Sequence, residues 1–407
     1  MEKTTALTRS TALLFAAASG CAVANVYYAQ PLLNTMGQDL HIQPGDVGMI
    51  VTITQTGYAL GLLLLLPLGD LFNRRRLIVT QLLLAVLALL VVAWAPIQAP
   101  FFAGIAAVGL LAVVTQTLVA YAATLAAPTE RGRIVGLVTS GVVLGILLAR
   151  TISGTLADLA GWRAVYVFSA ALMLLTAIAL FRVLPKNDPG KVVASYPQLL
   201  TSVFRLFFEE RILRVRAILA MFIFAAFSVL WTSLVLPLSA PPYHFSHTVI
   251  GTFGLIGVAG ALGAARAGQL ADRGRGQWTT GVALSLLLLS WIPLSFTTQS
   301  ISALIAGIII LDLAIQAVHV TNQSMIYQIR PESRNRLVAG YMLFYSIGSG
   351  IGSIAATTTY AHAGWTGVCI LGAAISAMGL VFWAVTLPRT RSLPIAAACQ
   401  PAHLKKR

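Results

Sequence analysis

Long apolar runs, each broken by a short polar or basic cluster, repeat from one end of this chain to the other. An α-helix rises about 1.5 Å per residue, so about 20 apolar residues match the hydrocarbon layer of a bilayer. Read at that length, the chain yields twelve spans, roughly 11–35, 47–69, 77–95, 101–126, 134–157, 163–184, 217–240, 248–271, 278–296, 301–327, 337–360 and 366–388. The pattern predicts an all-α membrane protein with twelve transmembrane helices. Composition agrees: hydrophobic residues make up 58% of the chain, charged residues 10%, and the mean hydropathy is +0.85. A soluble fold of 407 residues could not cover its surface with so few charges, whereas lipid-facing helices need none.

The formal charge of +15 would suggest nucleic acid in a soluble protein, but its distribution points to topology. With the N-terminus inside, every one of the 27 Lys and Arg falls in a cytoplasmic segment or helix end except Arg150, Arg163 and Arg266. They cluster at Arg74–Arg76, Arg131 and Arg133, Arg273 and Arg275, Arg330, Arg334 and Arg336, the middle loop and the C-terminal tail. That is the positive-inside bias, which a miscounted helix would scramble. Both termini are therefore expected in the cytoplasm, anionic lipid headgroups are expected partners, and nucleic acid is not. Lys3, Arg9 and Ala22-Val23-Ala24 resemble a cleavable signal, but the run stays apolar through Leu33 and its loss would leave an odd number of spans. Cys21, Cys369 and Cys399 are scattered and form neither a disulfide framework nor a metal spacing.

The chain repeats itself. Pro128-Thr-Glu-Arg131-Gly-Arg133 returns as Pro331-Glu-Ser-Arg334-Asn-Arg336, an offset of 203 (334 − 131). Ala160-Gly161-Trp162 returns as Ala363-Gly364-Trp365 and Gly145 as Gly348, both at 203, and Asp70 as Asp272, at 202. The expected organisation is a six-helix half over 1–184, a cytoplasmic linker over 185–216, a second half over 217–388 and a tail over 389–407. The linker carries an amphipathic basic stretch, Phe204–Arg214, suited to the headgroup interface.

The segment Pro67-Leu68-Gly69-Asp70-Leu71-Phe72-Asn73-Arg74-Arg75-Arg76 resembles the loop signature of the major facilitator superfamily. Gly268-Gln-Leu-Ala271-Asp272-Arg273-Gly274-Arg275 resembles the same signature repeated, and the resemblance extends over nearly the whole chain. Leu66 and Asn73 stand where the family usually has glycine. The resemblance implies two pseudo-symmetric six-helix halves, the major facilitator fold. It also implies a cytoplasmic gate in which Asp70, Arg74, Arg75, Asp272 and Arg273 stabilise the state closed on the inside. A carboxylate facing a helix N-terminus beside a basic turn can do this, while the plainer alternative makes the arginines topology signals only. In span five Gly141, Gly145, Ala149 and Ser153 recur every four residues, a stripe that lets another helix approach closely. It overlaps the antiporter signature of the superfamily's exporters, with Ile146 in place of its proline and Arg150 in place of its last glycine; Ile105 replaces a fourth-span arginine.

Two charges lie deep in spans: Asp312 about 16 Å from the outer end of span ten, and Arg150 about 12 Å from the outer end of span five. An ionisable residue in hydrocarbon costs a few kcal/mol or more, so each calls for a partner or a wet cavity. Gln316, His319 and Gln323 follow Asp312 at +4, +7 and +11, within about 60° of arc on one helix face. The surrounding segment resembles span ten of the branch containing bacterial sugar and nucleoside exporters. Asp312 and Arg150 are the expected proton-coupling pair, with His319 as relay or substrate ligand; a static ion pair between the halves is the alternative. Asn25, Tyr28, Gln55, Gln116 and Tyr121 join Gln316 and Gln323 as candidate cavity residues, since the resemblance implies that spans one, four, seven and ten line the pathway.

The expectation is a multi-pass protein of a bacterial inner membrane, acting as a monomer, that exports small organic solutes in exchange for protons by alternating access. Proton–solute symport and a non-transporting sensor on the same fold are the alternatives. No nucleotide loop, metal cluster or nucleophile–base spacing appears, so neither enzymatic activity nor a cofactor other than the coupling proton is expected.

Overall fold

The computed structural model describes residues 9–126, 130–185, 195–327, 329 and 334–391, and among them helices form the whole regular structure, with no strand. The first group comprises α1 (Arg9–Ala24), α2 (Met49–Leu64), α3 (Arg74–Trp94), α4 (Gln98–Leu125), α5 (Arg131–Ala160) and α6 (Trp162–Val183). A separate linker helix, Tyr196–Glu209, leads to α7 (Arg211–Ser239). Then follow α8 (His247–Gly257, continuing as Val258–Leu270), α9 (Arg273–Ser295) and α10 (Ile301–Tyr327). The last helical segment, Arg334–Arg391, is divided at Gly364 into α11 (334–363) and α12 (365–391). Eight segments are long and apolar enough to cross a membrane; one of these holds both α11 and α12, and α1, α2 and the first part of α8 are shorter apolar helices. Eight, plus one for the divided segment, plus three accounts for twelve apolar passes among the described residues.

Two boundaries differ from those expected. Span one, read as 11–35, stops as an α-helix at Ala24 and resumes as a tight turn over Gln30–Leu32 and a helix over Leu33–Asp39. Pro31 has no N–H to extend the α-helical ladder, which accounts for the change of winding. The amphipathic stretch 204–214 is not one helix. The linker helix opens with a Ser195/Gln198 capping box and ends at Glu210, whose extended backbone (φ −95°, ψ 102°) starts a new helix at Arg211. Residues 186–194 of the linker and 392–407 of the tail lie outside the described residues.

The apolar residues are on the wrong side for a water-soluble protein. Leu87, Leu175, Ile370 and Val385 are each at least 60% exposed, while Asn25, Gln30, Gln55, Gln81, Arg150, Arg216, Asp312 and Asn322 are buried. Such a surface suits lipid, and the buried polar groups bond from helix to helix. The protein is a multi-pass membrane protein.

Small residues set how closely the helices pack. A Cβ on Gly145 of α5 would lie 2.6 Å from the Gly20 Cα of α1, and one on Gly348 of α11 would lie 2.8 Å from the Met221 Cα of α7. The small-residue stripe on α5 therefore packs on α1, and the same contact recurs 203 residues on (348 − 145), between α11 and α7. The connections α5–α6 and α11–α12 are single residues, Gly161 (φ 81°) and Gly364 (φ 59°), in a backbone region that side chains with a Cβ disfavour.

The helices α1–α6 meet α7–α12 at the end of the bundle remote from the arginine loops. His247 of α8 bonds to Asp158 of α5 (2.7 Å) and to Thr35 (2.7 Å), and Thr248 adds two further donors to Asp158. Beside them the Gly48 N–H donates to Thr357 of α11 (3.2 Å), whose hydroxyl donates to the Gly45 carbonyl (2.8 Å). At the arginine-rich end a narrow cleft lies between the groups, lined among others by Arg74, Thr117, Arg336 and the linker residues Leu199 and Val203.

Candidate functional site

The helices α5, α7 and α10 bring two buried charges to one indole ring, one over its face and one at its N–H. Arg150, 3% exposed, is carried by α5, whose closely packed stripe leaves its long side chain to reach across the interface. Its Nε donates to Gln30 Oε1 at 2.7 Å, a residue delivered by the non-α turn after α1. Its guanidinium lies 4.0 Å from the centroid of Trp231, with Tyr27 at 5.4 Å and Phe227 at 5.5 Å. A cation over aromatic faces is stabilised by the ring quadrupoles, more so where water is excluded. Nη2 of Arg150 has no hydrogen-bond partner.

Asp312, 6% exposed on α10, accepts a hydrogen bond from the Trp231 indole N–H at 3.2 Å. Its second oxygen sits where only glycine leaves room: a Cβ on Gly257 of α8 would be 2.9 Å from Oδ2. Among the described residues the ion pairs are Arg163–Asp39, Arg205–Glu209 and His247–Asp158, so Arg150 and Asp312 do not bridge directly. The indole touches both, its face to the cation and its N–H to the carboxylate.

The other expected site residues divide into groups. His319, on the same helix as Asp312, bonds through Nδ1 to the Tyr341 hydroxyl (2.8 Å) and meets the Phe224 ring edge-on. Gln316 and Gln323 are half-buried on that helix. Phe224 packs on Tyr345, whose hydroxyl is 2.5 Å from that of Tyr27, so an aromatic chain runs from His319 across to the Arg150 box. In the first six helices Asn25 accepts from Ser169 (2.5 Å), Tyr28 is 2% exposed, and Gln116 donates to Tyr58 (3.3 Å). Gln55 is buried with no partner on its Oε1, and Tyr121 packs against Phe15. A small crevice of about 10 Å³ touches Gln30, Arg150, Trp231 and Ile250.

Of the expected gate, the side chains of Asp70 and Asp272 lie outside the described residues. Arg74 donates to the Gly69 carbonyl (2.9 Å) and the Thr124 hydroxyl (3.0 Å), and Arg75 donates to the Phe181 carbonyl (2.5 Å) and stacks on its ring. Arg273 is exposed.

Sequence reasoning did not single out Trp231, Tyr27, Tyr345 or Gln30, and it did not anticipate the burial of Arg216. Arg216, read as a basic helix end, is 1% exposed and donates to Thr280 (3.0 Å) and Asn322 (3.1 Å). Arg266 lies on α8, within the span where it was read, and is exposed there. Gln30 was findable, as a polar residue beside a proline inside an apolar run. Trp231 carried no such signal.

Twelve apolar passes, buried polar contacts between two six-helix groups and an intramembrane charge cluster define a membrane transporter. The chain belongs to the Major Facilitator Superfamily, whose family model matches residues 15–318 and 267–402. It is 50% identical to the uncharacterized transporter YgaY of Escherichia coli O157:H7, with 91% of this chain and 94% of that protein covered. A protein of Haemophilus influenzae (strain 86-028NP) named "Probable sugar efflux transporter" is 23% identical, with 87% of each chain covered. Among solved structures, a bacterial homologue of the human lysosomal transporter Spinster, inward-facing and unoccupied, shares the fold at a TM-score of 0.76 and 14% identity, covering 97% of this chain and all of that one.

Proposed function

We propose that this protein is a proton-coupled secondary transporter of the bacterial inner membrane that exports small organic solutes by alternating access. One observation carries the reading: a carboxylate and a guanidinium are buried at the junction of α5, α7, α8 and α10, close enough to feel each other but not bonded. A buried carboxylate is stable as an anion only while a positive charge stays near it. Rocking of α1–α6 against α7–α12 changes the distance from Arg150 to Asp312, so each half-cycle alters whether Asp312 holds a proton. His319 lies about ten Å along α10 from Asp312, towards the arginine-rich end, and passes the proton on or contacts the solute. The cavity residues Asn25, Tyr28, Gln55, Gln116, Tyr121, Gln316 and Gln323 offer neutral hydrogen-bonding groups, which suit an uncharged or weakly charged solute. The efflux direction follows the name of the Haemophilus relative.

With the arginine loops on the cytoplasmic side, the closed end faces outward and the narrow cleft faces inward. The cytoplasmic gate of this cycle is formed by Asp70, Arg74, Arg75, Asp272 and Arg273. The chain acts as a monomer whose other partners are membrane lipids.

The test uses inverted membrane vesicles, a pH-sensitive dye and a panel of sugars, nucleosides and aromatic amines. At least one solute is expected to release protons from energised vesicles containing the wild-type protein, and Asp312→Asn is expected to abolish that release. Undiminished release from Asp312→Asn overturns the assignment of Asp312, and proton movement only in the opposite sense establishes symport.

A further inference from the structure

The indole of Trp231 does two things at once, and they act on Asp312 in opposite directions. Its N–H donates to Oδ1 (3.2 Å), the one hydrogen bond of the Asp312 side chain among the described residues, and this favours the carboxylate. Its ring holds the guanidinium of Arg150 on its face at 4.0 Å, with Nη2 left without a partner. In a low-dielectric interior, two such charges in contact attract far more strongly than two held apart. An Arg with a spare N–H and an Asp with a free oxygen would close into a direct pair if nothing intervened.

We propose that Trp231 is the positioning residue of the coupling site: a spacer that holds Arg150 and Asp312 apart, so that Asp312 exchanges its proton instead of being locked in an ion pair. The inference rests on the reading of Asp312 as the proton-coupling residue. The surroundings favour a spacer over simple packing. Arg150 is boxed by Tyr27, Phe227, Trp231 and Gln30, of which only Trp231 also reaches Asp312. The titratable groups facing the pair are Tyr27, with Tyr345 bonded to it, and, further along α10, His319, which is engaged with Tyr341. Asp312 meets α8 at Gly257, where no side chain could substitute for the indole.

Because the two actions are separable, two substitutions at one position move the titration of Asp312 in opposite directions. Trp231→Phe keeps a ring over Arg150 but removes the N–H, so the carboxylate loses its donor and protonates at higher pH. Trp231→Leu removes the ring, lets the guanidinium reach the carboxylate, and moves protonation to lower pH. Trp231→Met removes the ring in a different shape and serves as an independent copy of that arm.

The experiment is a pH titration of purified full-length protein by infrared difference spectroscopy, following the protonated-carboxyl band that disappears in Asp312→Asn; no solute is needed. The expected result is a midpoint displaced by about one pH unit upward in Trp231→Phe and by about one unit downward in Trp231→Leu and Trp231→Met, a tenfold change each way. Displacement in the same direction, or none, in the folded variants overturns the spacer while leaving Asp312 as the proton carrier. A wild-type spectrum with no titrating band assignable to Asp312 overturns both.

Discussion

Arg216 shows how much a single position can hide from its neighbours in sequence. It follows Arg211 and Arg214 at the start of α7, where a long basic side chain normally reaches back to the interface. Instead it turns inward, is 1% exposed, and ties α7 to Thr280 of α9 and Asn322 of α10. Asn322 answers with a bond from its Nδ2 to the Arg216 carbonyl. Removing the guanidinium strands these buried partners, so Arg216→Ala is expected to lower stability by about 2–4 kcal/mol. Arg216→Lys should recover part of that loss. The unfolding temperature in detergent reads the difference, and an unchanged value for Arg216→Ala would mean the contacts are idle. Asp312 and Arg150 were legible because a charge in an apolar run is conspicuous. Trp231 was not, because an aromatic in such a run is most simply read as lipid-facing or core. Its role depends on what α5 and α10 bring to it, and that convergence is not written along α7.

Between helices, glycine decides what can touch. Gly145 and Gly348 each hold a neighbouring backbone at a distance that excludes a side chain, whereas a Cβ on Gly136 would meet nothing within 4 Å. All three lie in helices, so propensity alone would rank them equal. Gly145→Val and Gly348→Val are therefore expected to cost several kcal/mol through lost α1–α5 and α7–α11 packing, seen as loss of monodisperse protein on size-exclusion chromatography. Gly136→Ala should be neutral or stabilising by about 0.5–1 kcal/mol. A tolerated Gly145→Val would refute the close approach. The stripe on α5 was visible as a spacing of four residues, but its partner was not, since many helices could have filled it. The breaks were harder still. The gap at 25–29 and the restart at Arg211 depend on Pro31 and Glu210, single residues inside stretches whose hydropathy stays helix-like.

The whole molecule is closed at one end by hydrogen bonds and close backbone contacts between the two groups. Asp158, His247, Thr35, Thr248 and Thr357 bond across the junction of the two six-helix groups there, beside close glycine contacts such as Gly154 on the His247 backbone and Gly48 on the Ser353 backbone. His247→Ala removes the hinge-pin of that set. In a background with Cys21, Cys369 and Cys399 changed to Ser, a cysteine introduced at Val235, now 1% exposed, should react with a membrane-impermeant maleimide several times faster once His247 is gone. An unchanged rate would show that the end is closed by something else. The architecture was readable because lipid imposes hydropathy on every pass, and the basic clusters ordered them. The closed state was not, because a transporter's sequence must encode both of its states at once. The one-residue reversals at Gly161 and Gly364 have a practical consequence of a different kind. A protease needs a loop that can be drawn into its cleft, and an inserted epitope needs slack on both sides. These two turns supply neither, so each of the hairpins α5–α6 and α11–α12 should withstand digestion there and reject insertion, and tags are better directed elsewhere.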